Sequence, residues 1–240
     1  MSKTGSTGRR GAERAKGAEG PRGRARSRAA PRDPATSASP GAVRRAGPRA
    51  VRRESSAALL GARFPVRLRQ LAGRIKIVGL DSDGTLTDRG LSWDSDGREV
   101  RRFDVRDGLA IVWAKSAGLH VIVVSGRTSP TLLHRTDDLG VPAVQGTLDK
   151  VGALEEFCAR HRATREQVAF LGDDLPDLPA LRWCGLPLAV ADAHPLVKRA
   201  AAWVSPSAGG RGAVREALEA LLEATGNWDR VLARYGEKPR

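Results

Sequence analysis

Residues 75–88, IKIVGLDSDGTLTD, decide the fold. Ile75, Ile77, Val78 and Leu80 make a short apolar run of the kind required of a strand buried on both faces of a parallel sheet. The run stops at Asp81, and Asp83, Gly84, Thr85, Thr87 and Asp88 follow directly. Carboxylates therefore emerge at a strand's carboxyl end, where open α/β sheets place their ligands. A simple Asp-x-Asp-Gly turn accounts for this pattern in isolation. The other account is a hard divalent cation relieving the repulsion between two acidic groups two residues apart.

Downstream, the same arrangement repeats. Residues 91–105 read as a β-hairpin with its turn at Asp94-Ser95-Asp96-Gly97, and residues 109–117 as a helix stopped by Gly118. Asp104, Arg106 and Asp107 precede that helix, with capping or surface pairing as the plain explanation. A second buried strand, residues 120–124, ends in Ser125-Gly126-Arg127, a place where a hydroxyl and backbone N–H groups hold a phosphate oxygen. A helix at 129–139 and a short strand at 141–144 lead to a helix over 150–161 that opens on Lys150, a residue type usually solvated. Residues 168–171 form a fourth apolar strand ending in Gly172-Asp173-Asp174-Leu175-Pro176-Asp177. Three carboxylates in five residues repel unless something cationic sits among them. A short helix, strands at 188–190 and 203–204, the Gly-rich loop 207–212 and an amphipathic helix at 213–224 complete the alternation. The order predicts an α/β domain with a doubly wound parallel sheet and a small hairpin insertion.

Upstream, the composition changes. The 240-residue chain has a formal net charge of +14, and residues 1–70 account for all of it, with 18 Lys and Arg against 4 Asp and Glu. That stretch is rich in Arg, Ala, Gly, Pro and Ser and has few large apolar residues before Leu59, so a disordered basic extension is expected over 1–70. Its make-up also fits a transit peptide or an overlong gene start, but it has no aromatic residue before Phe64 and no motif for a specific nucleic-acid site. A short helix at 66–71 leads into the domain, taken as 71–230, with a tail at 231–240. No apolar run approaches the ~18 residues of a membrane span. Cys158 and Cys184 lack metal or disulfide spacing, so a reducing, cytoplasmic location is expected. The histidines receive no role.

In chain order, Asp81-x-Asp83-Gly84-Thr85-x-Thr87, Ser125, Lys150 and Gly172-Asp173-x-x-x-Asp177 resemble the four motifs of the haloacid dehalogenase superfamily. More narrowly, Phe103-x-Val105-Arg106-Asp107-Gly108, Gln145-Gly146, Gly172-Asp173-Asp174, residues 191–195 (ADAHP) and residues 209–216 (GGRGAVRE) resemble the 3-deoxy-D-manno-octulosonate 8-phosphate phosphatases, over about residues 74–230. The resemblance implies a cytoplasmic, Mg²⁺-dependent sugar-acid phosphatase of lipopolysaccharide biosynthesis that works through an aspartyl phosphate. It implies Asp81 as nucleophile, Asp83 as general acid and base, and Ser125 and Lys150 on the phosphate oxygens. The metal would be held by Asp81, Asp83 through its carbonyl, and Asp173, with Asp174 or Asp177 in the outer shell. Gly126, Arg127 and Arg211 are the implied substrate contacts, the inserted hairpin implies no separate cap domain, and a homotetramer closes the site instead. Ser82, between the two catalytic aspartates, and Arg89, ahead of Gly90, depart from the family pattern.

Two other readings compete. One keeps the chemistry and changes the substrate to a 9-phosphorylated nonulosonate such as N-acylneuraminate 9-phosphate. The other is a non-enzymatic binding protein that uses its basic arm.

Overall fold

The computed structural model describes residues 64–237. Its centre is β1 (Ile77–Leu80), buried at all four positions. It pairs in parallel with β4 (His120–Ser125) on one side and β6 (Val168–Gly172) on the other. β5 (Ala143–Gln145) lies outside β4, and β7 (Leu186–Ala189) and β8 (Trp203–Val204) lie beyond β6, giving the order β5-β4-β1-β6-β7-β8. β1 is thus where the order reverses. In doubly wound sheets the crevice at that reversal, outside the carboxyl ends of the strands, is the ligand site. The hairpin is present as a separate antiparallel pair, β2 (Ser92–Trp93) and β3 (Glu99–Val100).

Two groups of helices flank the sheet. α1 (Val66–Ala72) and α2 (Val105–Ser116) pack against α7 (Ala213–Ala224), which also carries α8 (Trp228–Ala233). In the second group, α5 (Leu178–Trp183) packs against α4 (Lys150–His161) and α6 (Pro195–Ala200). α3 (Pro130–Leu139) starts on Ser129, whose side chain accepts the Leu132 N–H, with Pro130 at the first helical position. It ends on Gly140 at φ 59°, a left-handed cap that costs glycine little.

Several boundaries differ from the sequence reading. α2 begins at Val105 rather than 109, because the Asp104 carboxylate caps the Arg106 N–H and draws the next residues into the first turn. β5 lies at Ala143–Gln145 rather than 141–144, set by pairing Ser125 with Gln145. β7 starts at Leu186 and accommodates Pro187 opposite Phe170. The six-residue helices α6 and α8 escaped the sequence reading, since two turns carry too few residues for a periodic signal. Phe64 and Leu68 are buried, and Phe64 meets Trp203 edge to face at 5.2 Å, so packing reaches back past residue 70. Of the extension predicted as disordered over 1–70, residues 1–63 lie outside the described residues, whereas residues 64–70 are ordered, with Phe64 and Leu68 buried and α1 beginning at Val66. Among the described residues no helix is long and apolar enough to cross a membrane.

Candidate active site

The loop after β1 is wound tightly, with the Ser82 carbonyl accepting the Leu86 and Thr87 N–H groups at 3.0 and 3.1 Å. The Asp81 N–H donates to the Leu171 carbonyl at 3.0 Å, which anchors Asp81 beside the end of β6. Gly84 sits at φ 102°, and a Cβ there would stand 2.1 Å from Asp173 Oδ2. Only glycine lets the two acidic loops approach so closely.

At that junction carboxylate oxygens of Asp81, Asp173 and Asp177, all buried, lie within 4.8 Å of one another. Lys150, at the first turn of α4 and itself buried, donates Nζ to Asp81 Oδ1 at 2.5 Å and to Asp177 Oδ1 at 2.6 Å. Asp177 Oδ2 accepts the Asp173 and Asp174 N–H groups at 2.8 and 3.2 Å. Burial, reinforced by repulsion from Asp177, pushes the Asp81 carboxyl well above its ordinary range against the pull of Lys150. Burial and Asp177 also push Asp173 up to about 6. Burial works against the charge on Lys150, but Asp81 and Asp177 outweigh it and hold its pKa above the usual lysine value. These are the energetics of a carboxylate group short of positive charge.

The cluster opens into a cavity of about 230 Å³ lined by Asp81, Asp83, Lys150, Asp173, Asp174 and Asp177, with Gly126, Arg127, Leu148 and Pro176 at its walls. Ser125 is buried at the tip of β4, its Oγ accepting the Arg127 N–H at 3.2 Å, and does not line the cavity. Arg211 stands apart from it too, pairing with Asp88 Oδ2 at 3.0 Å. The segment around Arg211 nevertheless rests on the catalytic loop. Gly210 N–H donates to the Thr85 carbonyl at 2.9 Å, and a Cβ on Gly209 would fall 1.6 Å from the Gly84 carbonyl oxygen.

Four further residues join the site. Arg89, at φ 66°, donates Nε to Asp173 Oδ2 at 2.8 Å and bonds Asp192 through Nη1, while Gly209 N–H donates to the same Asp192 carboxylate. Arg101, which follows β3, forms an ion pair with Asp83 at 2.9 Å and donates a hydrogen bond to Glu99. Sequence reading noticed Arg89 only as a departure from a pattern and Asp192 only within the matching stretch 191–195, and it gave Arg101 and Glu99 no role. Their charge was visible, but none sits at a predicted strand tip next to another acid.

All the clustered donors are hard oxygens, and burial together with repulsion from Asp177 raises the Asp81 and Asp173 carboxyls, so the residues present fit a hard divalent cation. Asp81 is held by Lys150 through Oδ1, and Asp173 accepts Arg89 Nε at Oδ2 and only a long 3.4 Å bond from Thr85 Oγ1 at Oδ1, so each keeps a weakly engaged oxygen that suits a direct ligand. Asp177 spends both oxygens on Lys150 and backbone N–H groups, which suits an outer position. With a cation, Lys150 and a carboxylate nucleophile around one small cavity, the arrangement can bind and transfer a phosphoryl group.

Comparison with known proteins agrees with this geometry. The sequence profile of haloacid dehalogenase-like hydrolases matches residues 143–218. The 3-deoxy-D-manno-octulosonate 8-phosphate phosphatase of Haemophilus influenzae is 42% identical over 160 residues, covering 66% of this chain and 89% of that protein. The enzyme of the same name from Moraxella catarrhalis, solved in complex with magnesium ion, phosphate ion and a KDO molecule, is similar at TM-score 0.69 and 33% identity, covering 70% of this chain and 98% of its own. A cobalt-bound structure of the Haemophilus influenzae phosphatase is similar at TM-score 0.64, covering 67% of this chain and 94% of its own.

Proposed function

The chain belongs to the 3-deoxy-D-manno-octulosonate 8-phosphate phosphatase family of haloacid dehalogenase-like hydrolases and is a phosphoric monoester hydrolase. On that premise we propose that it hydrolyses 3-deoxy-D-manno-octulosonate 8-phosphate to the free sugar acid and phosphate, with Mg²⁺ as cofactor. The observation that carries this reading is the buried set of Asp81, Asp173 and Asp177 with Lys150 bridging two of them.

Lys150 holds Asp81 Oδ1, which orients the other carboxylate oxygen for attack on phosphorus. As the Asp81–phosphorus bond forms, the bond to the sugar oxygen breaks, and Asp83 delivers a proton to that oxygen. Asp83, now a carboxylate, takes a proton from the water that displaces phosphate from Asp81, restoring both groups. Asp81, the Asp83 carbonyl and Asp173 would hold Mg²⁺, which would supply positive charge to the phosphoryl group. Asp174 and Asp177 stand behind these ligands. The Lys150 ammonium holds a phosphate oxygen, Ser125 stands behind the wall and reaches the phosphate only if its Oγ leaves the Arg127 N–H, and Gly126 and Arg127 at the wall face the sugar acid.

The cavity suits a phosphate and an ion but is smaller than the ~300 Å³ or more usual for a whole ligand site. The sugar acid therefore projects beyond it, and a homotetramer supplies the missing wall. Exposed Trp93 and Val100 on the hairpin and the arginine at position 211 support that arrangement. Residues 71–230 carry the catalytic groups, the packing that supports them runs from Phe64 to the end of α8, and the basic extension lies outside the chemistry.

The test is phosphate release from a panel of sugar-acid phosphates, with and without Mg²⁺, on protein whose mass in solution is measured by light scattering. The eight-carbon phosphate should turn over fastest, only with the metal, in a tetramer. Faster turnover of a nine-carbon nonulosonate 9-phosphate would replace the substrate, and release undiminished by chelation would remove the metal. A fully active monomer would remove the shared wall.

A further inference from the structure

The hairpin sends one side chain into the catalytic centre. Arg101, immediately after β3, has a side chain only 1% exposed, yet it lies one residue from Arg102, whose side chain is 60% exposed. Burying a guanidinium costs free energy unless its donors are matched, so its partners reveal what it is for. Nη1 lies 2.9 Å from Asp83 Oδ1 and also reaches Ser82 Oγ at 3.4 Å. Nε donates to Glu99 Oε1 at 2.8 Å, and Nη2 lies 2.8 Å from the same oxygen at an angle that makes an ion pair rather than a hydrogen bond. Glu99 is gripped in turn by Ser129 through Oε2 and by Arg127 Nη2 at 3.3 Å.

Glu99 alone would neutralise Arg101. The additional ion pair with Asp83 is therefore the informative one. It holds Oδ1 of a carboxyl that lines the cavity, and neither Asp83 carboxylate oxygen accepts a hydrogen bond among the described residues, so this ion pair is what fixes the group. A planar guanidinium fastened at one edge by Glu99 presents its other edge in a fixed direction, which a flexible ammonium does not. We propose that Arg101, braced by Glu99, is a positioning residue that locks the Asp83 carboxyl by one oxygen so that the other faces the leaving group. The inserted hairpin thereby acts on proton delivery to the substrate oxygen. This inference rests on the reading of Asp83 as general acid.

Leaving-group dependence tests it, because a poorly aimed acid hurts only substrates whose leaving oxygen needs a proton. The measurement is kcat/KM, at saturating Mg²⁺, for the best alkyl sugar phosphate of the panel and for p-nitrophenyl phosphate. It is made on Arg101→Ala and on the double variant Arg101→Met with Glu99→Gln, which removes both buried charges together and so keeps the fold. In either variant the alkyl substrate should lose roughly 30-fold or more, within the 10²–10⁴ that general acid catalysis supplies, while the aryl substrate loses about 3-fold or less. Equal losses on both substrates, or none, overturn the proposal. Asp83→Ala separates the two levels of argument. If it too lowers both substrates equally, the general-acid reading fails; if it is selective and the Arg101 variants are not, only the positioning role fails.

Discussion

Two groups of aspartates flank the loop after β1, and they obey opposite electrostatics. Asp81, Asp173 and Asp177 are buried around one ammonium, and the Asp81 and Asp173 carboxyls are pushed upward by burial and mutual repulsion. Asp88, seven residues beyond Asp81, is shared at the surface by Arg102 at 2.5 Å and Arg211 at 3.0 Å. Its carboxyl is held below the usual range, chiefly by the hydrogen bond from Arg102. The same residue type is thus starved of positive charge in one place and oversupplied in the other. Water explains the difference. It solvates Asp88 and its arginines, so their pairing carries little free energy, whereas the buried trio depends on the few cations that reach it.

The largest effect should come from removing the central cation. Lys150→Met leaves Asp81 and Asp177 facing each other without their bridge, and should cost about 3–5 kcal/mol of stability in metal-free protein. It should also lower turnover by roughly 10²–10³. Urea unfolding with and without Mg²⁺ checks it, the metal restoring part of the loss. An unchanged midpoint without metal would mean that the buried charges are not the energetic centre supposed here.

A smaller effect sharpens the contrast through pH. Asp173 is raised from 3.8 to about 6, so between those values the folded protein binds its proton more tightly than the unfolded chain does. Metal-free stability contributed by this group is therefore full below about pH 4 and falls as pH rises towards 6. The change is on the order of 2–3 kcal/mol. The difference in unfolding free energy between the wild type and Asp173→Asn should follow that slope without Mg²⁺ and flatten with it. A difference independent of pH would show that Asp173 titrates as an ordinary carboxyl.

The smallest effect belongs to the surface. Asp88→Asn should change stability by about 0–1 kcal/mol, and less as salt is added. A loss comparable to that of Lys150→Met would erase the distinction between the two groups.

The buried strands were legible because each is a short apolar run ending abruptly in polar residues, as at Leu80–Asp81 and Gly172–Asp173. α4 was legible to the residue, since Lys150–His161 has helical periodicity. Helix starts were less so. α2 gains its first turn from Asp104, a capping event that depends on one side-chain rotamer rather than on a pattern. Within the site, Asp81, Asp83, Lys150, Asp173, Asp174, Asp177, Gly126 and Arg127 line a common cavity. Arg211 turned instead to Asp88, an outcome that residue type and spacing do not encode.

From sequence alone come the order of strands and helices and the acids at the strand ends, because periodicity and turn chemistry act over a few neighbouring residues. Tertiary structure alone decided which charges meet. Lys150 reaches Asp81 across 69 residues, Arg89 reaches Asp173 across 84, and Arg101 turns inward to Asp83 while Arg102 beside it stays outside. Ion pairing is settled by strand order, loop winding and the depth of burial, and those are properties of the packed chain rather than of any segment of it.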